Sequence, residues 1–98
     1  MYTLITAAIS ADAQRLKNKL NRPDILLGDY QDLPQFMLKS ANMIRLPNPA
    51  SASYTHEMLT LCLDRAIGTV YALRSEEAVL LKNAQQLFSE YGIIVHGQ

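Results

Sequence analysis

The chain has 98 residues, of which 49% are hydrophobic and 18% charged, and nine Lys plus Arg balance nine Asp plus Glu. That is one domain, able to bury roughly 60–65% of its unfolded surface. The zero net charge excludes a general nucleic-acid binder and an acidic tail, the apolar content excludes disorder, and the short apolar runs exclude a membrane span.

Tyr2-Thr3-Leu4-Ile5-Thr6 reads as the first strand. Ser10 offers a helix N-cap, with Asp12 in the first turn and Ala13, Leu16 and Leu20 at helical spacing. Asn21-Arg22-Pro23 stops that helix, because the residue before a proline avoids helical angles. Asp24-Ile25-Leu26-Leu27-Gly28, ending in Asp29, is continuously apolar, as a strand buried on both faces requires. Asp32 and Pro34 open a short helix through Phe36, Met37 and Ala41, and Met43-Ile44-Arg45-Leu46 is a third strand. A loop rich in Pro, Asn and Ser covers residues 47–53. Ser53 caps a helix from Tyr54 to Ala66, which Gly68 follows, and Thr69-Val70-Tyr71-Ala72-Leu73 is the fourth strand. Ser75 caps the last and longest helix, whose stripe is Leu80, Ala84, Leu87, Phe88 and Tyr91. Gly92 stands where a left-handed C-terminal cap wants glycine, before the fifth strand, Ile93-Ile94-Val95.

Five strands separated by four helices predict an α/β fold, a three-layer α-β-α domain around a parallel sheet. Right-handed crossovers then require helices on both faces. No repeat or second domain is visible. The start, Met1-Tyr2-Thr3, lacks the basic region of a signal peptide. The single cysteine, Cys62, suits a reducing compartment, and a cytoplasmic location is expected.

Several segments carry a family resemblance. They are Met43-Ile44-Arg45-Leu46-Pro47, Tyr54 through Cys62, Gly68 through Leu73, Glu76 through Asn83, and Leu87 through Ile93. Together they resemble the Rossmann-like pre-ATP-grasp domain at the amino terminus of ATP-grasp ligases, nearest the carbamoyl-phosphate synthase large-subunit-like group. The likeness covers nearly the whole chain. It implies a five-stranded sheet of order 3-2-1-4-5. The relatives' Gly-rich first turn is replaced by Ala7-Ala8-Ile9-Ser10, and the proline of their fourth strand is replaced around Ala72-Leu73. The chain ends where a relative would begin its ATP-grasp domain, which holds the nucleotide, metal and catalytic residues. The resemblance therefore implies a free-standing, non-catalytic binding or assembly module with no cofactor, metal site or catalytic residues of its own. A first piece of a split or truncated ligase, partnered by a separate ATP-grasp protein, is the alternative, and a small amino-acid- or carboxylate-binding domain is a third reading.

With that strand order, a ligand would sit beyond the carboxyl ends of the strands, between strands one and four. The candidate ligand-binding residues are Ala7, Ala8, Ser10, Asp29, Ser75 and Glu76. Two of the loops lead into helix N-termini, which favour anions. The plain reading of Ser10 and Ser75 is an ordinary cap. Asp12, Glu76 and Glu77 already answer the helix dipoles, which argues against a nucleotide and for an amine-bearing ligand. Asp29 ends its strand as a ribose-binding acid does, but the G-x-G-x-x-G fingerprint is absent and Gly28-Asp29-Tyr30 also reads as a turn. Glu76 and Glu77 are adjacent, about 100° apart on a helix, so they do not converge as an acid–base pair. Both read as solvated first-turn acids. His56 and Cys62 lie six apart, the wrong spacing for a shared metal, and Cys62 reads as a core residue. His96 reads as solvated. Tyr30, Phe36, Met37 and Met43 cluster around the short second helix and form a candidate interface, from which a homodimer is predicted.

Overall fold

The computed structural model describes residues 1–31 and 43–97. Its elements are β1 (Tyr2–Ile5), α1 (Ala11–Leu20), β2 (Ile25–Asp29), β3 (Met43–Arg45), α2 (Tyr54–Asp64), β4 (Ile67–Ala72), α3 (Ser75–Asn83), α4 (Gln85–Glu90) and β5 (Ile94–Gly97). The strands form one parallel sheet in the order β3-β2-β1-β4-β5. The α/β, Rossmann-like fold with a five-stranded parallel sheet is the observed one. The helix expected to start at Asp32 and Pro34 lies outside the described residues.

Alternation along the strands sends side chains to two cores. Leu4, Leu26, Ile44, Val70 and Val95 join Tyr54, Met58 and Cys62 of α2, Leu81 of α3 and Phe88 of α4. Ile5, Ile25 and Leu27 point the other way, onto Ala8 and Ala13, with Leu16 and Leu20 of α1 packed at the margin. β2 is buried at all five positions, as its unbroken apolar run predicts. Gly28 is required there, because a Cβ would stand 2.7 Å from the Leu46 side chain.

Local signals set the first crossover. Ser10 is extended, and its Oγ accepts the Ala13 N–H at 3.1 Å. Asn21 closes α1 in the left-handed region (φ 47°), its N–H returning to the Lys17 carbonyl. Gly92 likewise takes φ 76° after α4. After α2 the left-handed position falls on Ala66 (φ 56°), while Gly68 lies inside β4.

Two expectations about the last helix are corrected. Arg74, not Ser75, is the N-cap of α3, and Ser75 is its first helical residue. The single long helix is two, broken at Ala84 (φ −103°), whose N–H turns to the Leu81 carbonyl. The buried members of the pair are Glu77, Ala78, Leu81 and Phe88, whereas Leu80 and Leu87 are half-buried and Tyr91 is 53% exposed. Both helices pack on β5, so the inward stripe is the one that meets the sheet.

Candidate functional site

The strand order reverses between β1 and β4, and several polar side chains are buried at the carboxyl ends there. Thr6 follows β1, Asp29 ends β2, Arg74 caps α3 just beyond β4, and Glu77 lies in the first turn of α3. Thr6, Asp29 and Glu77 are each 0% exposed.

Asp29 and Arg74 form the frame. The Arg74 Nη2 donates to both carboxylate oxygens, at 3.0 Å to Oδ1 and 2.9 Å to Oδ2. The Gln31 N–H adds a longer bond to Oδ1 at 3.3 Å. Arg74 also lies over the Tyr30 ring, with Cζ 5.0 Å from its centroid. Burial works against the guanidinium charge, but the bond to Asp29 and the Asp29 charge outweigh it and raise the Arg74 pKa. A buried pair of this kind adds little net stability over apolar packing, yet losing one partner leaves the other uncompensated.

Glu77 stands beside this pair without joining it. Neither carboxylate oxygen has a hydrogen-bond partner. Burial pushes its pKa up to about 7; the Thr6 hydroxyl and the Arg74 charge pull it down, and Asp29 and Glu76 push it further up. The Thr6 Oγ1 already accepts the Leu73 N–H at 2.9 Å. Its hydroxyl is near enough to favour the carboxylate, but no bond of full geometry forms. Across from Glu77, Tyr54 is buried and its hydroxyl is also unpartnered. Burial, then the Glu77, Cys62 and Glu76 charges, hold that phenol neutral well above its ordinary range. The Arg74 Nε is a further buried donor without a partner. Most buried polar atoms in folded proteins are paired, so this concentration of unpaired ones calls for an explanation.

Comparison of the chain with protein-family models and with curated proteins finds no match.

The other residues expected at the crevice divide between turn and surface. Ala7 is buried with φ 56°, a left-handed conformation in which glycine is the unstrained choice. The Ala8 N–H donates to the Gly28 carbonyl at 3.0 Å, which ties the turn to β2. Ser10 is spent on its cap, and Ser75 and Glu76 are exposed. Of the six, Asp29 belongs to the buried cluster. Thr6, Tyr54, Arg74 and Glu77 were not singled out as ligand-binding residues. A signal for Glu77 is present in the sequence: Phe88, Ala84, Leu81 and Glu77 fall at helical spacing, so the buried stripe traced backwards ends on a carboxylate.

Tyr30 and Met43, two of the expected interface residues, are half-buried and pack at the margins of opposite cores. Phe36 and Met37 lie outside the described residues. His56 is exposed and Cys62 fully buried, on different faces of α2. Burial pushes the Cys62 thiol up to about 12, so it is no nucleophile near neutral pH. His96 is exposed and stacks on Tyr71, its partner across the β4–β5 ladder, with ring centroids 4.5 Å apart.

An open cleft of about 560 Å³ lies elsewhere, between the end of β3 and the outer face of α2. Its polar lining is locally engaged: Glu57 accepts from the Ser51 hydroxyl, and Thr60 donates to the His56 carbonyl. Among the described residues that line it, none carries a buried, unsatisfied group. The switch-point cluster is the better candidate because its chemistry is incomplete.

Proposed function

We propose that this chain is a non-catalytic binding module of the pre-ATP-grasp kind, and that it holds a small polar molecule where the strand order reverses. One observation carries the reading. The side chains of Tyr54, Arg74 and Glu77 carry unpartnered buried atoms and act on one another electrostatically near the carboxyl ends of the strands, where open α/β sheets bind their ligands. The inert Cys62 thiol and the neutral Tyr54 phenol supply no nucleophile beside them. A thermal-shift screen tests the reading, with amino acids, small carboxylates, and nucleotides with and without magnesium. One class is expected to raise the melting temperature by several degrees, since a ligand at 100 times its Kd adds about 2.7 kcal/mol. No shift with any class would overturn the binding reading, and hydrolysis of magnesium-ATP by the purified chain would overturn the non-catalytic one.

A second reading, assembly, is favoured by the opposite end of the sheet. There Tyr2 is 45% exposed, Tyr91 53% and Ile94 58%, at the amino ends of β1 and β5. Exposed apolar surface of this kind suits a contact with a second copy or a separate protein, such as an ATP-grasp partner. Sedimentation at high micromolar concentration is expected to give a dimer. A monomer there would sink the self-association reading.

A further inference from the structure

Among the described residues, the switch-point cluster is short of one positive charge. Asp29 and Arg74 cancel, with a single guanidinium nitrogen reaching both carboxylate oxygens. Glu77 is then the third ionisable group in the same dry space. The groups that act on it are Thr6 from the end of β1, Asp29 from β2, and Arg74 and Glu76 from the start of α3. Tyr54 faces it from α2, with Cys62 on the same helix, and Tyr30 faces Arg74. Arg74 is the one cation in that set, and Asp29 has it. With Glu77 ionised, the cluster carries an uncompensated buried charge, which proteins avoid by protonation or by a counter-charge.

The unpaired atoms describe the counter-charge. Of the two acceptor oxygens of Glu77 the nearby Thr6 hydroxyl can serve one at most, and the 2%-exposed Tyr54 offers a hydroxyl oxygen with no partner. A primary ammonium brings three donors and one positive charge, which fits those acceptors and that deficit together. A carboxylate or phosphate would meet Glu77 and Asp29 as like charges. Of the cluster, Arg74 and Tyr30 are the side chains that reach solvent, Arg74 with 21% of its side chain exposed.

We infer that the crevice takes a small primary amine, whose ammonium group sits on the Glu77 carboxylate with the Tyr54 hydroxyl beside it. The inference rests on the binding reading above and adds the charge of the ligand and the residue that anchors it. Below pH 7 binding exchanges one proton on Glu77, released to solvent, for one ammonium; above it the ammonium joins a carboxylate that is already ionised.

The test uses the full chain and three small probes that differ in charge, ethylamine, alanine and propionate, at equal ionic strength. Melting temperature and calorimetric affinity are read at pH 6 and pH 8. Ethylamine or alanine is expected to raise the melting temperature, and propionate is not. Affinity is expected to rise about tenfold from pH 6 to pH 8, following the ionised fraction of a carboxyl with a pKa of about 7. Glu77→Gln, a neutral analogue of the protonated side chain, is expected to remove the shift, and its own melt at pH 6 reports that it is folded. A shift with propionate alone would overturn the amine assignment and leave a crevice site standing. No shift with any probe at either pH would overturn the amine assignment; whether the binding reading also falls is then decided by the wider screen. An amine shift that survives Glu77→Gln would place the amine elsewhere and overturn the assignment to this cluster.

Discussion

The β1–α1 turn and the β4–α3 turn flank the crevice, and each delivers a helix N-terminus. At the first, the polar side chains are answered nearby. Ser10 caps Ala13, Asp12 faces the dipole from solvent and pairs with Arg15 at 2.7 Å, and Ala8 bonds to β2. Its one irregularity is steric, the left-handed Ala7. At the second turn no side chain caps α3, the N-cap Arg74 is drawn away to Asp29, and the first-turn acid Glu77 is buried instead of solvated. A dipole-matched acid stabilises a helix start when water surrounds it, whereas the same acid in a dry space costs more than the dipole returns. One turn is thus optimised for stability, and the other holds incomplete chemistry that a folded chain tolerates where function requires it.

The comparison is broken most directly at Arg74. Arg74→Leu leaves Asp29 buried without its partner and is expected to cost about 3 kcal/mol. At about 4–8 °C per kcal/mol for a domain of this size, a thermal melt at pH 7 should fall by more than 10 °C. A loss of only a degree or two would mean that Asp29 does not depend on the pair.

Glu77→Gln comes next, with the opposite sign and a pH signature. A carboxyl raised from 4.5 to about 7 binds its proton more tightly in the folded state than in the unfolded one. Its contribution to stability is therefore full below pH 4.5, declines as pH rises, and is lost above 7. The variant is expected to match the parent near pH 4.5 and to exceed it by about 3 kcal/mol at pH 8, in parallel denaturant titrations. Glu90→Gln, at an exposed position and not among the groups that act on Glu77, is the control and should change neither value.

The first turn sharpens the contrast with smaller, pH-independent effects. Ser10→Ala removes the cap and is expected to lower stability by about 1 kcal/mol. Ala7→Gly relieves the left-handed alanine but adds freedom to the unfolded chain, for a net gain of about 0.5 kcal/mol. Chemical denaturation at two pH values separates this pair from the Glu77 effect.

Much of the fold was legible because its signals are local. The unbroken apolar run of β2 announced a strand buried on both faces. Ser10, Asn21 and Gly92 marked helix ends through their own hydrogen bonds and φ angles. Local reading failed where a residue serves a distant partner. Ser75 looked like a cap because serine usually is one, but the chain enters α3 one residue earlier so that Arg74 reaches Asp29, 45 residues away. Glu77 looked solvated because first-turn acids usually are. The buried stripe runs through Glu77 and Leu81 rather than through Leu80 and Tyr91, and it ends on a carboxylate that apolar periodicity alone does not select.

Composition, apolar periodicity and turn residues by themselves determined an α/β fold with alternating strands and helices, since each depends on neighbours within a few positions. The tertiary structure alone decided which first-turn acid is buried, which residue caps α3, and that Thr6, Asp29, Arg74 and Tyr54 act on or respond to the Glu77 charge. Those outcomes depend on desolvation and on charge pairing between segments far apart in the chain, and neither is written in any local pattern.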